Sequence, residues 1–182
     1  TDLAPRDARA VYKSTSYDLR RYKRLQMFAH AEAPIDETKS LSNGDLTVFI
    51  RMGSDYKNNY YEYEIPMNLT AHSSIPYNTN NSADQEKVWP TENMFDFELE
   101  TWTNLKLERD RLRRQGEGGV SFNKVYSKTD ENNTRNTISI VGNPSLAEVK
   151  VIMIGVRNNA NEIKSGEVWV NELRMTALEE DG

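Results

Sequence analysis

The residues best equipped for recognition chemistry are aromatic. Tyr56, Tyr60, Tyr61 and Tyr63 crowd one short stretch, Trp89 follows it, and Trp102 and Trp169 complete the tryptophans. In a carbohydrate-binding sandwich such rings present flat faces to sugars, while nearby Asn and Asp side chains bond the hydroxyls. The same tyrosines are also good strand residues whose rings fill a core and whose hydroxyls reach its rim. Both readings stand at this level, and Tyr56, Tyr60, Tyr61, Tyr63 and Trp89 are the candidate ligand or partner contacts.

Other chemistry has less behind it. Glu62 and Glu64 fall on one face of an extended segment, where they would form an acid/base couple of the glycosidase type or simply a wet strand face. Asp130, Glu131, Asn132 and Asn133 gather oxygen ligands, but without the spacing of a dedicated calcium loop. Glu32 and Glu172 end two expected strands and would hold a structural calcium if they met at a sheet edge. His30 and His72 lack a second histidine at metal spacing, and His30 reads as a half-exposed strand residue. There is no Gly-x-Ser-x-Gly elbow, and the glycines at 116–119 follow a helix, so they do not open one around a phosphate. No catalytic, cofactor or metal set is assigned, and the chain is expected not to be an enzyme.

The elements that must position these residues are mostly strands. Leu46, Val48 and Ile50 alternate with Thr47, Phe49 and Arg51, and Tyr61, Tyr63 and Ile65 alternate with Tyr60, Glu62 and Glu64. A period of two gives one buried face only in a strand. Between them, residues 53–59 are turn formers, so the pair reads as a long-looped hairpin at the centre of the fold. Leu25, Met27, Ala29 and Ala31 mark a further strand leading up to Glu32, and 11–16 reads as a short edge strand. Residues 120–126, 136–142, 149–157 and 166–175 add four more, with 149–157 apolar on both faces and therefore expected to be central and deeply buried.

Residues 1–10 carry no fixed element, 34–43 form a connector, and 71–87 read as a long exposed loop. Over 98–115 the spacing changes to that of a helix, with Leu99, Trp102, Leu105 and Leu112 on one face and Glu108, Arg109, Arg111, Arg113 and Arg114 solvated. Gly116 ends it. Seven or eight strands, one helical insertion and no strand-helix-strand rhythm predict a mainly β fold, an antiparallel β-sandwich of jelly-roll (galactose-binding-like) type, in a single domain spanning 1–182.

Bulk properties agree. A chain of 182 residues buries a full core unaided. Its net charge of -5 argues against nucleic acid as a partner. With no cysteine, disulfides, thiolate metal sites and cysteine nucleophiles are excluded. No run approaches a membrane span, and the N-terminus has neither an initiator Met nor a signal-peptide layout, as expected of a soluble piece of something larger.

Four segments carry a family resemblance: Asp18 to Glu32, Phe49 to Pro66, Val88-Trp-Pro-Thr-Glu-Asn93, and Gly166-Glu-Val-Trp-Val-Asn-Glu-Leu-Arg174. Over most of its length the chain resembles the SprA/Sov family, the giant outer-membrane proteins of type IX secretion and gliding motility in Bacteroidetes. The resemblance implies a parent barrel through which folded cargo leaves the periplasm, with a lipoprotein-like shuttle and a plug as accessory partners. This chain lacks the repeated lipid-facing strands of a barrel wall. It would therefore be a soluble domain inserted in the barrel's loops, on the extracellular side, acting as a cap, scaffold or docking surface toward the barrel, its cargo or accessory translocon proteins. The resemblance brings no catalytic residues. A carbohydrate-binding module using exposed aromatics is the alternative.

Overall fold

Alternation of apolar and polar side chains dictates a mainly β, antiparallel fold, and the computed structural model has that form. It describes residues 2–35 and 40–177; Thr1, residues 36–39 of the expected connector and 178–182 lie outside the described residues. In chain order the elements are β1 (Asp2–Leu3), β2 (Ala8–Tyr17), β3 (Tyr22–Met27), β4 (Ala29–Glu32), β5 (Leu46–Gly53), β6 (Tyr60–Pro66), α1 (Ser82–Val88), β7 (Phe95–Glu98), α2 (Glu100–Gln115), β8 (Tyr126–Asp130), β9 (Asn133–Val141), β10 (Val149–Asn158), β11 (Lys164–Ser165), β12 (Glu167–Val170) and β13 (Arg174–Ala177). A six-stranded sheet runs β2-β10-β5-β6-β9-β8, with every ladder antiparallel. The expected hairpin of β5 and β6 lies at its middle.

The second layer is one interrupted sheet. β13-β3-β7 continues as β12-β4, and both long strands break at the same level. There the Phe28 N–H donates to Asn171 Oδ1 at 2.8 Å, and the Asn171 N–H donates to the Phe28 carbonyl at 3.1 Å. Leu25, Met27, Ala29 and Ala31 keep the face their alternation predicts, all within the core, although the run is two strands. Val48, Ile50, Met52, Tyr61, Tyr63, Ile65, Ile138 and Ile140 meet them from the large sheet.

Helix α2 completes this inner layer, and its periodicity corrects one expectation. Trp102, Leu105 and Arg109 are its buried residues. Arg109 was expected in solvent because it is charged, yet positions 102, 105 and 109 share one helical face. Its side chain is 0% exposed, with Nε on Asp110 at 2.8 Å and Nη2 donating to the Gly142 carbonyl at 2.6 Å. The helix ends as predicted at Gly116, in the left-handed conformation with φ 69°.

Four further expectations change. Residues 1–10 are not featureless: β1 pairs with β11, and β2 begins at Ala8. The 71–87 stretch ends in α1, capped by Asn81, whose side chain accepts the Ala83 N–H. Residues 120–125 form turns, not a strand, because Phe122 leaves any sheet to lie under Arg113 and Arg109, 4.1 and 4.9 Å from their guanidinium carbons. Finally, β10 is second from the edge, and Ile152, Ile154 and Val156 are half-buried, because the smaller second layer does not fully cover its inner face. Among the described residues no helix is long and apolar enough to cross a membrane.

Candidate functional site

The five candidate aromatics do not form one site. Strand alternation sends Tyr61 and Tyr63 inward, where they are 2% and 1% exposed. Tyr61 stacks on Trp102 at 5.5 Å, and Tyr63 stacks on Phe97 at 3.9 Å. Their hydroxyls are satisfied internally, Tyr61 donating to the Pro144 carbonyl at 3.3 Å and Tyr63 to Asp130 at 2.5 Å. A ring enclosed on both faces stacks on no ligand, so a contact role for Tyr61 and Tyr63 is corrected to a core role.

That burial has a measurable consequence. Desolvation pushes both phenols above the ordinary tyrosine value, and at Tyr63 the hydrogen bond to the Asp130 carboxylate adds to it while Asn136 opposes it. Because the folded state favours the protonated ring, this stability is present below the unfolded pKa of about 10 and is lost as pH rises past it. We therefore expect a tyrosinate absorbance titration in which Tyr61 and Tyr63 ionise only as the fold opens. Their reversible ionisation in the native chain would contradict their placement.

Tyr60 and Tyr56 belong to the opposite face of the large sheet. Tyr60 lies under the Arg51 guanidinium at 3.8 Å, and Tyr56 meets Tyr12 at 5.3 Å. Glu62 and Glu64, the candidate acid/base pair, share this face but are tied up by arginines. Glu62 Oε2 accepts from Arg51 Nε at 2.8 Å and Nη2 at 2.6 Å, Glu62 Oε1 accepts from Arg157 Nη1 at 3.3 Å, and Glu64 is also paired with Arg157. Phe49 floors the network, 4.6 Å from the Arg157 guanidinium carbon. Gly155 is required there, since an added Cβ would come within 2.3 Å of the Phe49 ring. The arrangement neutralises charge and stiffens the sheet.

Trp89, the fifth aromatic, does line a cleft. Helix α1 and the loop before it fold across the break at Phe28 and enclose about 530 Å³ lined by Phe28, Tyr77, Asn78, Gln85, Trp89 and Asn171, among others. Trp89 packs edge-on against Phe28 at 6.3 Å and His30 at 5.8 Å. His30 is thereby buried, not half-exposed, with Nδ1 2.6 Å from the Val88 carbonyl and Thr70 Oγ1 at 3.2 Å. Directly opposite His30 in the ladder stands Trp169, 61% exposed. Loop positions are fixed by side chains: the Asn78 N–H donates to Asp84 and Gln85 donates to the Thr79 carbonyl.

Sequence reasoning found Trp89 but not Phe28 or Tyr77. The available signal was Asn81 followed three residues later by Asp84, a helix-start pattern that turns the supposed loop into a wall. The candidate calcium groups are engaged by protein or separate. Asp130 accepts from Tyr63 and from the Asn132 N–H, while Glu32 faces Glu167 in the ladder and Glu172 pairs with exposed Arg174. Among the described residues no group of three or more His, Cys, Asp or Glu side chains is placed to hold a metal ion.

Comparison with known proteins gives one family. The profile of SprA_N, described as motility related/secretion protein, matches residues 1–182. No curated protein matches the chain.

Proposed function

This chain belongs to the SprA_N family of motility related/secretion proteins, and from that premise we propose that it is a non-enzymatic domain of an outer-membrane export channel that docks protein through the Phe28–Trp89 cleft. The observation that carries the reading is the division of the aromatic residues. Tyr61, Tyr63, Phe95, Phe97 and Trp102 are consumed by the core, whereas Phe28, against Trp89 in the cleft, and Trp169, opposite His30 in the ladder, remain solvent-facing. Exposed aromatics grouped around an apolar cleft are typical anchors for a protein partner. The Glu62 and Glu64 carboxylates, locked by Arg51 and Arg157, are poorly placed to exchange protons with a substrate, which supports the non-enzymatic reading.

The partner would be the channel itself, its cargo or an accessory translocon protein, and the domain would face the cell exterior. A second reading, carbohydrate binding, draws support from Trp89 standing among the amides of Asn78, Gln85 and Asn171. Substituting Phe28→Ala together with Trp89→Ala in the native protein separates them. Docking predicts that cargo release into the medium falls while the variant chain keeps its melting temperature within a few degrees and a glycan array stays blank. Unchanged release, or glycan binding by the wild-type chain that the variant loses, would overturn it.

A further inference from the structure

The two edges of the six-stranded sheet are treated differently. β8, at one edge, is five residues long, carries a register shift at Thr129/Asp130, and has Lys128 tied to Glu108 of α2 at 2.9 Å. Short, irregular edges covered by a helix resist adding a strand. β2, at the other edge, runs for ten residues, nine of them exposed, and pairs only with β10. Its far side offers a row of unpaired backbone donors and acceptors, the template used when an extended peptide adds to a sheet.

Side chains define what would add. Ile152, Ile154 and Val156 point toward the core, so their ladder partners Lys13, Val11 and Arg9 lie on that same side. There a groove of about 450 Å³ opens between the two layers, lined by Val11, Lys13, Ile152, Ile154, Leu173 and Met175 among others. Val11 stays 73% exposed at its centre. Arg9 and Lys13 flank Val11, and among the described residues neither side chain has an ion pair or hydrogen bond. β2 has no acidic residue, although the chain as a whole carries a charge of -5.

We propose that β2 is a docking edge for an extended acidic segment of a partner protein, which adds as a seventh strand and lays a carboxylate, an apolar residue and a second carboxylate over Arg9, Val11 and Lys13. The pattern reads the same in either strand direction, so it fits parallel or antiparallel addition. A second copy of this chain is a poor occupant: pairing β2 with itself gathers four unneutralised cations along one seam, and like charges across a ladder repel. The inference concerns residues apart from the Phe28–Trp89 cleft and survives the loss of that reading.

The probe is a labelled, end-capped peptide centred on Glu-Thr-Val-Thr-Glu, titrated into the 182-residue chain by fluorescence anisotropy. The expected result is saturable binding, at least about tenfold weaker when both Glu are replaced by Lys, with slowed amide exchange in residues 9–17. The double substitution Arg9→Glu and Lys13→Glu, on exposed positions that leave the melting temperature unchanged, reverses the preference between the two peptides. A backbone N-methylated acidic peptide fails to bind. The proposal is overturned if neither peptide binds, if the two bind alike, if the N-methylated form binds equally well, or if the chain alone sediments as a dimer that exchange protection maps to β2.

Discussion

Trp102→Ala should cost about 3–5 kcal/mol of unfolding free energy, the range for removing a fully buried large aromatic. Trp102 is 0% exposed, stacked on Tyr61 and edge-on to Phe97 at 5.0 Å, and its Nε1–H donates to the Glu62 carbonyl at 3.1 Å. It joins the helix, the hairpin and β7 at a single point. Alanine removes the ring contacts, leaves a cavity between stiff neighbours, and forfeits the indole hydrogen bond to the Glu62 carbonyl. Urea denaturation followed by far-ultraviolet circular dichroism measures the loss, with the midpoint falling and the slope conserved. Trp102→Phe, which keeps most of the volume, should recover the larger part.

Glu62→Ala should be nearly as damaging, at about 3 kcal/mol, because removing one member of a buried ion cluster leaves the others uncompensated. The Glu62 side chain is 7% exposed and serves two guanidinium groups, at Arg51 and Arg157. Glu64 still neutralises Arg157, which limits the cost, but Arg51 keeps no carboxylate, only the Tyr56 carbonyl and the Tyr60 and Phe49 rings. Glu62→Gln, which preserves a hydrogen-bond acceptor and the volume, should lose less. A double-mutant cycle with Arg51→Met should show a coupling well above that of an exposed pair and little changed by salt, since the groups are screened by protein and not by water.

The strands were legible in the sequence because their physics is local. Tyr61, Tyr63 and Ile65 show a period of two whatever the rest of the chain does, and the face they predict is the one in the core, although Tyr60 and Glu62 on the other face are buried as well. What alternation does not reveal is which face a neighbouring layer covers. Thus 149–157 looked central from its apolar residues, whereas β10 lies beside an edge strand and remains half-open on its inner face.

Charge misled at Arg109 for a related reason. Residue type spoke for solvent while position on the helix spoke for the core, and position prevailed because Nε pairs with Asp110, Nη2 donates to the Gly142 carbonyl and the Phe122 ring lies against the guanidinium, although Nη1 has no hydrogen-bond partner among the described residues. The cleft was half legible. Trp89 stood out by type, but Phe28 becomes a wall of the cleft only because Asn171, distant in sequence, breaks both strands at its level. Such a coincidence of two strands carries no signal in either one alone.

Contact through the exposed aromatic cleft is the proposed mode of action of this domain, and photo-crosslinking from inside that cleft tests it most directly. A benzophenone amino acid is placed at position 28 of the native protein in secreting cells, with position 107, an exposed leucine on α2, as control. The prediction is discrete protein adducts from position 28 and none from position 107. Adducts of equal yield at both positions, or no adduct at 28 while secretion proceeds, would contradict it.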